Sequence, residues 1–90
     1  MADIRQPDEL ILLTGNVAEN WRQFRQEFEL YMIASGHDGK PDKQKVALLL
    51  HVARKQAIDV FNMFTLTEEQ KANYDVVVQR FETYCSPKTN

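Results

Sequence analysis

The chain is predicted to be an all-α domain, a compact orthogonal bundle of four to five short helices preceded by a short extended segment. Its 90 residues are enough for one hydrophobic core but not for two. Apolar residues recur at helical spacing in several stretches, and residues that cap or break helices separate these stretches. No heptad pattern persists along the chain, which argues against a long coiled coil.

The N-terminal part divides into two pieces. Residues 1–9 are polar and contain Pro7, so we expect a flexible N-terminal segment there, with the helical domain spanning residues 10–90. The apolar run Leu10-Ile-Leu-Leu13 is too short for a helix and stops at Thr14-Gly15. It is therefore predicted to be an extended segment docked on the core.

The first helix is predicted to start after Asn16, an N-cap residue with Glu19 three positions later, and to end at Ser35 before Gly36. Leu30 and Ile33 fall off its core-facing stripe. Either the N-terminal apolar segment covers them, or they await a partner. The residues of the stripe itself are Val17, Trp21, Phe24, Phe28, Tyr31 and Met32.

Three further helical stretches follow. Pro41 suits the first position of a second helix, whose wide apolar arc is typical of a central helix packed on several sides. A third helix is predicted over 56–64, and Thr67 with Gln70 forms a capping-box pattern for a short turn of helix. The last helix is predicted over 75–85 and ends before Pro87. Its expected buried residues are Val77, Val78, Phe81, Tyr84 and Cys85.

The predicted core combines aromatic and aliphatic positions from all these helices. Its principal members are Trp21, Phe24, Phe28, Leu49, Leu50, Phe61 and Phe81. The same aromatic stripes are a packing pattern rather than a ligand cage.

Composition and the titratable residues exclude several functions. The net charge of −2, with basic residues scattered among acidic ones, argues against direct nucleic-acid binding. One cysteine allows neither an internal disulfide nor a CxxC zinc site, and no apolar stretch could span a membrane. His37, His51 and Cys85 lack a third group that would orient them for catalysis. We therefore predict a cytoplasmic, non-enzymatic domain with no cofactor and no metal site.

Four sequence segments resemble, in the same order, the Gag capsid region of gypsy-class LTR retrotransposons. They are Trp21-x-x-Phe24-x-x-x-Phe28-Glu-Leu-Tyr31 with Ala34-Ser-Gly36, Ala47-Leu-Leu-Leu-His51-Val-Ala53, Ala57-x-x-Val60-Phe61-Asn62-x-Phe64, and Phe81-Glu-x-Tyr84-Cys85-x-Pro87-Lys88-x-Asn90. The resemblance extends from about Leu10 to Asn90 and concerns the N-terminal lobe of that protein. Related sequences commonly have glycine where Arg54 stands here. Arg54 therefore either occupies a sharp turn at some strain or lets two helices run on as one bent helix.

The resemblance implies a structural protein that self-associates, through ring or shell contacts, around the element's RNA. Expected partners are other copies of the chain and a downstream capsid domain, while RNA packaging would belong to another segment. By analogy with the family, the subunit contacts would use exposed faces of the first two helices. The candidate assembly residues are Arg22, Gln26, Glu29, Ile33, Lys43, Gln44 and His51.

Two alternatives stay open at this level. Arc, a neuronal protein that resembles a domesticated Gag, binds peptides in a hydrophobic groove beside the first helix. By that likeness, Leu10, Leu12, Leu30 and Ile33 could line a groove for short hydrophobic peptides, or the chain's own segment could fill it. A simple helical dimerisation domain is the third possibility.

Overall fold

A computed structural model describes residues 5–86, and these form a compact all-α bundle, which confirms the predicted fold class. Within that range there are five helices and no β-strand. The helices are α1 (Val17–Ala34), α2 (Asp42–Ala53), α3 (Lys55–Met63), α4 (Glu68–Lys71) and α5 (Tyr74–Cys85). Helix α5 packs against α1, α2 and α4, while α2 also packs against α3.

Both ends of α1 follow from local hydrogen bonds. The Asn16 side chain accepts a hydrogen bond from the amide of Glu19 at 3.1 Å, as an N-cap residue does. At the other end Gly36 has φ +79°, and its amide and that of His37 donate to carbonyls of the last turn at 3.2 and 2.7 Å. This is a Schellman motif, which needs a residue with positive φ after the C-cap. The predicted start of this helix is confirmed, and its last residue is Ala34, one before the predicted end, with Ser35 as the C-cap.

The turn between α2 and α3 resolves the alternatives for Arg54. This residue has φ 73° and ψ −159°, and it separates two helices rather than continuing one bent helix. Among the described residues it is the one non-glycine with positive φ. The conformation lies in a region populated almost only by glycine, with a cost of about 1–3 kcal/mol for other residues.

Helix α5 differs from its prediction in two respects. It begins at Tyr74, one residue earlier than expected, because Asn73 caps it by accepting a hydrogen bond from the amide of Val76 at 3.2 Å. Tyr84 is 44% exposed, so its predicted burial is wrong. Its ring instead lies edge-on against Phe64, with 6.3 Å between ring centroids. Pro87, predicted to end the helix, lies outside the described residues.

The core is a single cluster to which α1, α2, α3 and α5 contribute. Five of the predicted core residues are buried in it: Trp21, Phe24, Phe28, Leu49 and Phe81. Leu50 and Phe61 are half-buried and pack against its edge.

The N-terminal segment belongs to this core, although it is not helical. Leu10 and Leu12 are 2% and 4% exposed, while Ile11 and Leu13 point outward. The Leu10 amide donates to the carbonyl of Ala53 at 3.1 Å. Pro7 is also buried, although its neighbours on both sides are exposed. The flexibility predicted for residues 1–9 stays a prediction, since residues 1–4 lie outside the described range.

Candidate assembly surface

The outer side of α1 exposes two large aliphatic side chains. Leu30 and Ile33 are 61% and 63% exposed, on the side of the helix away from the buried stripe. They form part of an open groove of about 330 Å³. We call the residues lining it the α1 outer face: Arg22, Arg25, Gln26, Glu29, Leu30 and Ile33. All four assembly residues predicted on this helix are therefore together in one surface.

The charges of the α1 outer face are paired within the chain. Arg22 forms an ion pair with Glu19, and this hydrogen-bonded contact lowers the pKa of that carboxyl below its ordinary value. The Arg25 guanidinium lies 3.2 Å from a carboxylate oxygen of Glu29 and 3.7 Å from one of Glu82. Each exposed cation thus has at least one carboxylate partner, which leaves the aliphatic pair as the part of the face without a partner.

A second groove lies on the other side of Leu30. It has a volume of about 420 Å³, and its walls come from the N-terminal segment and from α1. Its lining residues are Arg5, Gln6, Pro7, Asp8, Glu27, Leu30, Tyr31 and Ala34. Because Leu30 lines both grooves, its side chain forms a ridge between them.

The candidate residues on α2 are not part of this surface. Lys43, Gln44 and His51 are exposed, but none of them lines either groove beside Leu30. The prediction grouped the α1 candidates and the α2 candidates together by analogy with the Gag capsid family. The structure brings together only the α1 set.

The four residues predicted to line a peptide groove do not form one open surface, which corrects that prediction. Leu10 and Leu12 are buried because the N-terminal segment packs into the core, where Gln56 accepts a hydrogen bond from the Leu12 amide at 2.7 Å. Leu30 and Ile33 remain exposed, so the segment does not cover them either.

His37 and Cys85 both make contacts that fit a structural role. The Ser35 hydroxyl and Nδ1 of His37 are 2.6 Å apart, and the imidazole stacks against the Tyr31 ring at 6.4 Å. These contacts close the turn after α1. Cys85 is buried, and burial raises the pKa of its thiol to about 11. The thiol is therefore protonated at neutral pH, which makes it a poor nucleophile.

The described residues contain neither a cluster that could hold a metal ion nor a helix that could span a membrane. Within residues 5–86, no group of three or more His, Cys, Asp or Glu side chains is placed to hold a metal ion. Among the same residues, no helix has both the length and the apolar character needed to cross a bilayer.

Sequence reasoning missed Arg25 as part of this surface and Glu82 as the partner of Arg25 at its border. Arg25 and Glu29 have the i, i+4 spacing of a helical ion pair, which was a usable signal. Glu82 had none, because it reaches α1 from another helix. Its carboxylate accepts a hydrogen bond from the Trp21 indole as well as facing Arg25. The result is a polar link between α1 and α5 at the border of the exposed face.

Comparison with known proteins finds no similarity that assigns the chain to a family. No protein-family model, no curated protein and no solved structure matches it.

Proposed function

We propose that this chain is a structural domain of the Gag capsid type, which self-associates to build the shell of a retrotransposon virus-like particle. The order of the sequence segments that carry the resemblance supports it, as does the all-α fold of the described residues. The aromatic residues of the first and last segments meet in the core, where Trp21 and Phe81 stack at 5.2 Å. The observation that carries the proposal is the exposed aliphatic pair on the α1 outer face.

The proposed partners are other copies of the chain and a downstream capsid domain. In this reading the domain acts in the cytoplasm, has no enzymatic role and does not itself bind nucleic acid. The protonated thiol of Cys85 agrees with a non-catalytic role, because a buried neutral thiol cannot easily attack a substrate.

The small size of this surface predicts a weak contact between copies. A stable interface typically buries about 800 Å² on each partner, and two aliphatic side chains supply only a small part of that. Shells do not need strong single contacts, because each subunit makes several and the contacts repeat around closed symmetry. Self-association of the isolated domain should therefore appear only at high concentration.

The test is the molar mass by light scattering across a concentration series, on this chain and on one extended through the next domain. We expect the mass to rise with concentration. Ile33→Asp should weaken the association about tenfold or more, because docking would then bury an unpaired carboxylate. Met63→Asp is the matched control, since Met63 is 65% exposed but lies on α3.

If Ile33→Asp and Met63→Asp reduce the rise in mass equally, the α1 outer face is not the contact between copies. If both chains stay monomeric at every concentration, the proposed self-association is wrong. The second candidate function, binding of short hydrophobic peptides, would then be favoured by the open grooves on both sides of Leu30. A fluorescent peptide copying Leu10–Leu13 would be the first probe.

A further inference from the structure

We propose that the α1 outer face pairs with the same face of a second copy about a two-fold axis, with the two α1 helices antiparallel. Leu30 of each copy packs against Ile33 of the other. The inference rests on the proposed self-association, and it specifies which surface is the partner and in which orientation.

The charges of the α1 outer face favour a second copy over a strongly charged partner. Arg22 and Arg25 already have carboxylate partners in their own chain, so a docking partner needs no opposite charge to neutralise them. A strongly acidic partner would gain little at this face. A second copy brings the same internally paired charges, and the net charge of −2 per chain adds little repulsion.

The shape of the α1 outer face also fits a second copy. The ridge formed by Leu30 has the groove lined by Gln26, Glu29 and Ile33 on one side and the groove against the N-terminal segment on the other. Helices pack by placing the ridges of one into the grooves of the other. A two-fold axis makes this exchange reciprocal, because each copy supplies one ridge and one groove from the same residues.

The exposed aliphatic side chains of α1 set the register of the pair. Leu30 and Ile33 are the large aliphatic residues exposed on α1, so the arrangement that packs aliphatic against aliphatic places Leu30 opposite Ile33 of the second copy. The axis then passes between positions 31 and 32, near the C-terminal end of the helix. With a rise of 1.5 Å per residue, the two copies of Ala34 lie about 8 Å apart along the axis and the two copies of Gln23 about 25 Å apart.

This spacing allows a cross-linking test that leaves Leu30 and Ile33 in place. Ala34→Cys and Gln23→Cys each add one thiol at an exposed position of α1, and the unmodified chain, with only the buried Cys85, is the baseline. Each protein is treated with a short bismaleimide at a concentration where light scattering shows association. We expect roughly tenfold more cross-linked dimer from Ala34→Cys than from Gln23→Cys, because proximity raises the effective thiol concentration. Adding Ile33→Asp should abolish the difference.

The outcomes separate this inference from the one on which it rests. Association without preferential cross-linking at position 34 overturns the two-fold pairing and leaves self-association standing. Preferential cross-linking that survives Ile33→Asp also overturns it, because the aliphatic pair would not be the contact. The absence of any association overturns the pairing and the proposed function together.

Discussion

Arg54 shows how one residue can carry strain for a whole junction. With φ 73° and ψ −159° it ends α2 and begins α3, and its amide donates to the Leu50 carbonyl at 3.0 Å. The side chain is exposed, so the strain is not offset by burial of the guanidinium. From the sequence, the glycine common at this position in the capsid sequences that the chain resembles indicated a sharp turn. It could not show whether arginine would keep that turn, because the alternative depends on how the helices pack.

Arg54→Gly is therefore expected to stabilise the fold by about 1 kcal/mol, since relief of backbone strain exceeds the added entropy of the unfolded chain. The melting temperature of a domain of this size should rise by about 4–8 °C. Urea unfolding, monitored by circular dichroism, measures the change in the free energy of unfolding. Arg54→Ala is the control, because alanine keeps the Cβ atom that strains the turn and should gain nothing. Equal stabilisation by both variants would mean that loss of the charge, not the backbone, is responsible.

The burial of Tyr74 could not be predicted from local pattern, although its place in α5 could, because the Asn73 cap is a local signal. Sequence reasoning left it outside the last helix, yet it is the first residue of α5 and its ring is buried near Phe28, with centroids 6.5 Å apart. Its amide donates to a carboxylate oxygen of Asp42 at 3.1 Å, which ties α5 to α2. Its buried hydroxyl has no hydrogen-bond partner among the described residues, and burial raises the pKa of that hydroxyl. Only tertiary packing places it there.

At the scale of elements, the helices whose caps are local were predicted well. The ends of α1 follow from Asn16 and Gly36, and Thr67 with Gln70 forms the expected reciprocal capping box at α4, with distances of 3.2 and 2.9 Å. These signals lie within four residues of the helix end, so the sequence contains them in full. The exposure of Tyr84 is different, because it depends on where α3 ends relative to α5.

The N-terminal segment is an element held by a side chain rather than by a sheet. The Gln56 carboxamide oxygen accepts hydrogen bonds from the amides of Leu12 and Leu13 at 2.7 and 3.2 Å. The backbone bond from Leu10 to Ala53 adds one more anchor at the same junction. The sequence predicted an extended segment docked on the core, but neither the alternation of its buried and exposed residues nor its partner on α3.

Gln56→Ala should therefore destabilise the fold by about 1–2 kcal/mol, because the half-buried Leu12 amide loses its acceptor. The segment should also become a preferred site of cleavage in limited proteolysis, since it loses two of its hydrogen bonds and keeps only the one to Ala53 and those from the Asn20 side chain. Gln79→Ala removes a similar side chain from the exposed side of α5 and should change stability by less than about 0.5 kcal/mol. Unchanged proteolysis of Gln56→Ala would show that burial of the leucines alone holds the segment.

The whole molecule is joined by aromatic contacts across its helices. Trp21 of α1 stacks on Phe81 of α5 at 5.2 Å, and Phe64, directly after α3, lies edge-on against the same Phe81 ring at 5.1 Å. Phe24 and Phe28 extend the stack along α1 with 5.9 Å between centroids. Because one cluster serves several helices, the domain should unfold as a single cooperative unit.

Of the candidate assembly residues, only those on a single helix could be predicted from the sequence to share one surface. The α1 candidates share a face because a helix places residues three and four apart side by side, a rule that needs no tertiary information. Lys43 and Gln44 on α2 were grouped with them by family analogy, and no local rule sets the position of α2 relative to α1. The burial of Leu10 likewise depends on the shape of the core.

The separation of core from surface on α1 can be tested with two truncations only two residues apart. Phe28 is fully buried, and Phe28→Ala should cost about 3–5 kcal/mol through the cavity it leaves, a large part of the stability of a small domain. Leu30→Ala removes an exposed side chain and should change stability by less than about 0.5 kcal/mol. Urea unfolding of the monomer at low concentration measures both changes.

In self-association the effects should be reversed, so that Leu30→Ala weakens association more than Phe28→Ala does. Leu30→Ala keeps the fold but removes the ridge of the α1 outer face, so its mass by light scattering should rise less with concentration than that of the unmodified chain. Phe28→Ala, wherever it remains folded, keeps that ridge and should still associate. If Leu30→Ala lowers stability as much as Phe28→Ala does, Leu30 is a packing residue. An assembly contact is expected to be dispensable for folding but needed for association. Folding alone gives no reason to expose two large aliphatic residues together.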